Sequence, residues 1–262
     1  MCRFAAYLGP ARPLSTLLYD PPRSLEVLAY APREMLNAAV NVDGTGVAWW
    51  EGDDDRPLRY VTAATPWGDT NLPHLAPRLT GRVQLAAVRA ASPGIPFGPG
   101  NVAPFVFEGL AFSHNGWLGG YRKGVGRTLL SRLPDDLYAA VDTVSDSVTL
   151  FATLLKHLRG EARGDLAAAL RATVAEAAEV VTDAGEAATL NLLVSDGRRV
   201  LAARTSAGYA RNSLYAVRDA GAWAGGAVLA SEPLAPDLDW EPVPEDHLAV
   251  VTDDDIRFEP IA

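Results

Sequence analysis

The hydrophobic pattern of this chain changes period twice, and that change restricts the fold more than any other feature. Compact or alternating apolar runs occupy residues 2–9, 44–50, 58–63, 83–90 and 105–113, and such runs read as strands. The period then lengthens. Val148, Phe151, Leu155 and Leu158 recur at helical spacing, as do Leu166, Leu170, Val174, Ala177 and Val181, which predicts helices over roughly 146–159 and 165–182. Strand patterns resume at 188–195, 199–205, 213–217, 227–232, 247–252 and 256–260. Strands, a helix pair and strands again describe an α+β domain with largely antiparallel sheets. No repeat, low-complexity tail or Ser/Gly linker divides the 262 residues, so 1–262 reads as one domain long enough to bury a sizeable core.

Turn chemistry punctuates this pattern at Gly52-Asp53-Asp54-Asp55, in the Pro/Gly-rich stretch 93–104, and at Asp196-Gly197, whose composition suits a two-residue hairpin. The uncharged run from Ala90 to Phe107 holds four prolines and three glycines, so it reads as a loop and not a membrane helix. No signal-peptide hydrophobic region follows Met1-Cys2-Arg3, and the chain reads as cytoplasmic. A net charge of −9 opposes binding to nucleic acid or an anionic membrane. A single cysteine allows no internal disulfide. The four histidines (His74, His114, His157, His247) are scattered without the close spacing of metal sites, so no metal is expected.

That one cysteine is residue 2. Cys2 reads either as a small buried hydrophobe at the start of a strand or, once Met1 is removed, as a thiol and a free α-amine on one residue. An α-amine with a pKa of roughly 7.7–8.0 accepts the proton of a thiol near roughly 8.5. An N-terminal nucleophile therefore brings its own base.

Three further segments carry a plain and a chemical reading each. Asn115-Gly116 is a hairpin-turn dipeptide, or an oxyanion hole of a side-chain amide and a backbone N–H. Arg89, at the end of a strand, is a surface cation or a bidentate grip for a carboxylate. Asp146 sits at or just inside a predicted helix start, where an aspartate needs no other purpose, and it can equally accept bonds from a substrate ammonium.

Together the four resemble the class II glutamine amidotransferases, which are N-terminal nucleophile hydrolases. In that pattern a cysteine follows Met1, an arginine heads an Arg-x-Ala-Thr/Ser segment, an Asn-Gly pair follows a strand, and an aspartate sits in an Asp-Ser/Thr segment. Here these are Cys2, Arg89-Ala90-Ala91-Ser92, His114-Asn115-Gly116 and Ser145-Asp146-Ser147, in the same order and at similar spacing. Asn41-Val42-Asp43-Gly44-Thr45-Gly46 is also similar to the family. MCRFAAYLG, LLYDPPRSLEVLAYAPREM, NVDGTGVAWW and PWGDTNLP resemble its short stand-alone members, a branch that includes the γ-glutamyl hydrolase of ergothioneine biosynthesis. Ala90 stands where tryptophan is common, Ser92 where threonine is commoner and Pro93 where histidine is frequent. These departures weaken glutamine-specific features and leave room for a bulkier amide.

The resemblance implies a four-layer αββα sandwich, two antiparallel sheets flanked by helices, with Cys2 at the end of a central strand. It implies hydrolysis of a γ-glutamyl amide: Cys2 as nucleophile, Asn115 and Gly116 as oxyanion donors, Arg89 on the glutamyl carboxylate and Asp146 on its ammonium, with Ser92 and Trp117 also against the substrate. The implied substrate is γ-glutamyl-hercynylcysteine sulfoxide, whose trimethylammonium group Trp117, Trp67 or Tyr121 could hold. No cofactor, nucleic acid, membrane or obligatory protein partner is implied beyond a small-molecule γ-glutamyl substrate. Three alternatives stay open: removal of γ-glutamyl from a different amine, a glutaminase subunit feeding ammonia to a separate synthase, and a non-catalytic binding module that keeps Met1.

Overall fold

Alternation along the first strand sets the layering. In β1 (Arg3–Pro13) Phe4, Ala6 and Leu8 face one way and Ala5 and Tyr7 the other, and all five are buried. A strand buried on both faces needs cover on both. In the computed structural model, which describes residues 2–36, 40–52, 54–92 and 94–262, one face packs on a second sheet and the other on helices. Met1, Asp53 and Pro93, and with them part of the turn expected at 52–55 and of the 93–104 loop, lie outside the described residues.

The first sheet joins β1 to β2 (Thr45–Trp50), β3 (Leu58–Thr62) and β4 (Thr80–Val88). The second is built from β5 (Phe105–Phe107), β6 (Leu110–Leu118), β7 (Ala188–Ser195), β8 (Val200–Ala207), and two later strands. The chain returns to the first sheet as β9 (Tyr215–Arg218), β10 (Ala227–Ala230) and β11 (Glu241–Pro242), and closes the second with β12 (His247–Val251) and β13 (Ile256–Pro260). The strand orders are β11-β9-β10-β1-β4-β2-β3 and β13-β12-β8-β7-β6-β5. Every pairing is antiparallel.

Three short helices, α1 (Ser15–Leu18), α2 (Leu25–Tyr30) and α3 (Leu72–Leu75), put Leu17, Leu18, Leu25, Leu28 and Leu72 on the outer face of the first sheet. The outer face of the second sheet is covered by α4 (Val125–Ser131), α5 (Asp135–Ala140), α6 (Asp146–Arg159) and α7 (Leu166–Asp183). The result is the expected αββα sandwich. None of the described helices is long and apolar enough to cross a membrane.

The two long helices fall where their periodicity placed them, and Asp165 caps α7 by accepting the Ala167 and Ala168 N–H groups. The five short ones run four to seven residues, too few turns for a 3.6-residue repeat to show. The run read as one strand over 105–113 is two. Glu108 and Gly109, at φ 49° and 77°, form the hairpin turn between β5 and β6. Asn115-Gly116 is not a turn: β6 continues through it, pairing Asn115 with Asn191 and Gly116 with Leu190. Asp196-Gly197 does lie in a turn, but Ser195 pairs with Val200, so the connection is residues 196–199 and not two residues. Asp196 Oδ1 accepts the Arg198 and Arg199 N–H groups and holds that longer loop.

The core beneath α6 holds the start of that helix against β6. Phe151 stacks on Phe112 with ring centroids 5.1 Å apart and planes 2° from parallel. Both rings are buried, so Phe151→Ala is expected to cost about 3–5 kcal/mol. Urea unfolding of the variant checks this.

Candidate active site

Strands β1 and β4 bring Cys2 and Arg89 together by register. Arg3 pairs with Val88 in the antiparallel β1–β4 ladder, so the residue before Arg3 and the residue after Val88 are neighbours. Both continue the inward phase of their strands, Cys2 with Phe4 and Ala6, Arg89 with Leu85 and Ala87. Cys2 is partly buried, and its Sγ lies 3.8 Å from the Ala90 carbonyl oxygen, at the reach of a weak S–H···O bond. Burial pushes the thiol up from its ordinary value, against the pull of the positive chain terminus and of Arg89.

The Asp43-Gly44 segment pins the arginine's backbone. Arg89 N–H donates to the Gly44 carbonyl, Asp43 N–H donates to the Arg89 carbonyl, and the Asp43 carboxylate accepts the Ala91 N–H at 2.7 Å. Arg89 is 5% exposed; Nη2 donates to the Pro96 carbonyl, and Nη1 is buried with no hydrogen-bond partner among the described residues. A buried cationic donor left unpaired is costly.

β6 supplies residues to both of its faces. His114 and Gly116 point toward α6, and Asn115 points toward the first sheet. Asn115 is fully buried: its Nδ2 donates to Ser231 Oγ at 3.2 Å, and its Oδ1 accepts from Asn212 Nδ2 at 3.2 Å. An amide nitrogen carries a second hydrogen. A methyl group on Gly116 would lie 1.9 Å from the Thr189 carbonyl oxygen and 2.4 Å from His114 Nε2, so only glycine fits there.

Asp146 is the first residue of α6, as expected, and 6% exposed. Its Oδ2 accepts the Leu118 N–H at 3.2 Å and its Oδ1 the Ser147 N–H at 2.8 Å. His114 is linked to it through Ser147. Nε2–H of His114 donates to the Thr189 carbonyl at 3.0 Å, and Nδ1 accepts from Ser147 Oγ at 3.1 Å. The carbonyl can only accept, so it fixes this neutral tautomer.

Cys2, Arg89, His114, Gly116, Asp146 and Ser147 line one cavity of about 30 Å³. Beyond Ala90, Ser92, Ile95 and Asp146, which line both spaces, a cleft of about 590 Å³ is walled by Trp117, Tyr121, Arg122, Lys123 and Glu186. Trp117 meets Tyr209 edge to face at 5.6 Å. Of the other aromatic candidates, Tyr121 lines this cleft, whereas Trp67 packs on Tyr30 at 5.5 Å and lines neither space. A larger groove of about 910 Å³ along α4 and α5 has none of the thiol, Arg89 or Asp146 in its walls. Among the described residues no group of His, Cys, Asp and Glu side chains converges as a metal site.

Cys2, Arg89, Ser92, Gly116 and Asp146 thus meet at the small cavity, Asn115 lies directly behind it, and Trp117 belongs to the outer cleft. Sequence reasoning missed the work of Ser231, Asn212 and Ser147 and of the His114 ring. For His114 and Ser147 the only signal was adjacency to motif residues; Ser231 and Asn212 gave none.

Burial pushes His114 down from its ordinary 6.5, with the nearby Asp146 carboxylate working the other way. The folded protein therefore binds fewer protons than the unfolded chain in the window just below that value. Stability from this group is full above about 6.5 and falls as the pH drops toward the folded pKa. Denaturant midpoints between pH 7.5 and 5 should fall more steeply for the wild type than for His114→Gln, which keeps a donor for the Thr189 carbonyl. Parallel curves would show that His114 does not titrate on unfolding.

The family described as "Glutamine amidotransferases class-II" matches residues 23–224. The chain is 36% identical over 252 residues to a γ-glutamyl-hercynylcysteine sulfoxide hydrolase of Mycobacterium tuberculosis, covering 96% of this chain and 93% of that one. It is 35% identical over 261 residues to the protein of that name from Mycolicibacterium smegmatis, covering 100% of both. Among solved structures, a glutamine aminotransferase class-II domain protein from Silicibacter pomeroyi superposes with a TM-score of 0.73 at 24% identity, over 100% of this chain and 99% of that one, and shares the fold. With Cys2, Arg89, Gly116 and Asp146 gathered at one cavity, the chain belongs to the class II glutamine amidotransferases.

Proposed function

We propose that this protein hydrolyses γ-glutamyl-hercynylcysteine sulfoxide, releasing glutamate and hercynylcysteine sulfoxide, with Cys2 as an N-terminal nucleophile. The observation that carries the reading is a small cavity holding thiol, guanidinium and carboxylate that adjoins a cleft of about 590 Å³. Ammonia, the leaving group of glutamine, needs no such cleft. An amine the size of a substituted amino acid does.

Removal of Met1 gives Cys2 a free α-amine. The partly buried thiol holds its proton more tightly than a free one, and the amine of the same residue is an acceptor at hand. Sulfur bonds to the γ-carbonyl carbon, and the electron pair of the C=O bond moves to oxygen. The second Nδ2 hydrogen of Asn115 and the Gly116 N–H hold that oxyanion. Collapse of the adduct breaks the C–N bond, the ammonium of Cys2 protonates the departing amine, and a thioester remains. Water then adds to the thioester, yielding its proton to the α-amine. Breakage of the C–S bond frees glutamate, and the sulfur recovers a proton.

Arg89 offers Nη1 to the glutamyl α-carboxylate. The Asp146 carboxylate, with about four acceptor sites of which backbone N–H groups use two, takes the α-ammonium. In the outer cleft the face of Trp117, braced by Tyr209, suits a quaternary ammonium. Glu186 adds negative charge there, and Arg122 and Lys123 suit the carboxylate of the leaving group.

Two outcomes are expected. Cys2→Ala should abolish turnover, Cys2→Ser should be badly impaired because a hydroxyl is a far weaker nucleophile, and intact mass should show active protein without Met1. Full activity from a chain that keeps Met1 would exclude the α-amine as base. Under the same assay Arg89→Lys, which loses the planar fork, should lower kcat/KM ~10–100-fold, mostly through KM.

The second outcome concerns the leaving group. The substrate should yield glutamate without ammonia, and turnover should exceed that of an analogue lacking the methyl groups. Trp117→Leu should shrink that preference by ~2–30-fold, the range of one cation–π contact. Equal glutamate and ammonia from glutamine at a higher rate would instead mark a glutaminase.

A further inference from the structure

Cys2 has a positional difficulty that its strand does not resolve. The β1–β4 ladder begins at Arg3, so the nucleophile lies outside the regular pairing. From Phe4 onward the chain is held tightly: Phe4 N–H donates to Ser231 Oγ at 3.0 Å, and the Phe4 carbonyl accepts the Ser231 N–H at 2.9 Å. A first residue with a free amine has a single peptide link. The plane of that link decides where its Cα, and with it thiol and amine, is carried, and a contact to its own carbonyl holds the plane.

That contact exists. Arg3 Nη1 donates to the Cys2 carbonyl at 3.1 Å. Arg3 is fully buried on the face of β1 opposite the thiol, and its Nε donates to Glu232 Oε1 at 2.8 Å. Glu232, 2% exposed, also accepts the backbone N–H groups of Arg33 at 2.9 Å and Glu34 at 3.2 Å, with Arg23 Nη2 at 3.5 Å. Its carboxylate is thus locked from several sides, and the guanidinium that leans on it has one orientation.

A buried ion pair is weak evidence of a stabilising purpose, because an apolar pair of similar size is often as stable. Arg3 even leaves Nη2 buried without a partner. The bond to the Cys2 carbonyl is what an apolar replacement could not make. We infer that Arg3 and Glu232 are positioning residues, a buried arginine–glutamate strut that holds the plane of the peptide carrying the nucleophile and so the place of its thiol and amine. This rests on Cys2 being the N-terminal nucleophile.

The test is the double substitution Arg3→Met with Glu232→Gln. It removes both charges, and the glutamine carbonyl still accepts the Arg33 N–H, the shorter of the two backbone bonds that Glu232 takes on separate oxygens. The folded variant should lose ~10–100-fold in kcat with KM within about twofold of wild type, the signature of misplaced reacting atoms and intact substrate binding. The pH midpoint for alkylation of Cys2 by iodoacetamide should also move, since the thiol no longer sits as before against the Ala90 carbonyl and Arg89. Wild-type kcat and an unmoved midpoint in the folded double variant would overturn the inference. If that variant does not accumulate folded, Arg3→Lys, which keeps the charge but lacks a fork to span Glu232 and the Cys2 carbonyl, decides on the same two readouts. Activity retained by Cys2→Ala would mark failure of the underlying reading and not of the strut.

Discussion

The hydroxyl of Ser231 joins the two sheets at the end where the chemistry lies. It accepts the Phe4 N–H from β1 of the first sheet and Asn115 Nδ2 from β6 of the second. Most of the contact between the sheets is apolar, built from residues such as Phe4, Leu85, Leu193 and Leu229. Apolar burial is strong but carries no direction, so it sets the spacing of the sheets more closely than their registration. A hydrogen bond does carry direction. The Ser231 joint ties the strand that follows Cys2 to the strand that carries Asn115 and Gly116, within the tolerance of hydrogen-bond geometry.

The neighbouring polar groups extend that joint. Asn212 donates both to the Asn115 carbonyl and to its Oδ1, and Asn191 donates to the carbonyls of Asn212 and Ser213. Each is buried, and a polar group buried without a partner costs about 1–3 kcal/mol. The network therefore has few alternative arrangements, and Asn115 is presented in one orientation before any substrate arrives.

On the substrate side the balance is reversed. Arg89 keeps Nη1 unpaired while its backbone is bound twice through the Asp43-Gly44 segment. Asp146 is held at the start of α6, and His114 stays neutral behind it with its tautomer set by the Thr189 carbonyl. Rigid backbone and unsatisfied side chains together describe a site whose geometry is finished and whose electrostatics are not.

Much of this was open to inspection in the sequence. The alternation in CRFAAYLG and the helical spacing from Val148 to Val181 determined the strand and helix order, because burial imposes a period on each element regardless of its partners. The position of Cys2, and its company with Arg89, Asn115-Gly116 and Asp146, pointed to the chemistry. Short elements such as Val125–Ser131 and the turn at Glu108-Gly109 escaped, since a few residues show no period. The sequence also could not say that Asn115-Gly116 runs inside a strand, for the dipeptide suits a turn as well as the crowded site beside Thr189. Only the tertiary structure brought Glu232 to Arg3 across 229 positions and Ser231 to Phe4 across 227, and only it opened the cleft beside Trp117. The reason is physical: alternation tells a residue which face it occupies, but what waits on that face depends on how distant strands pack.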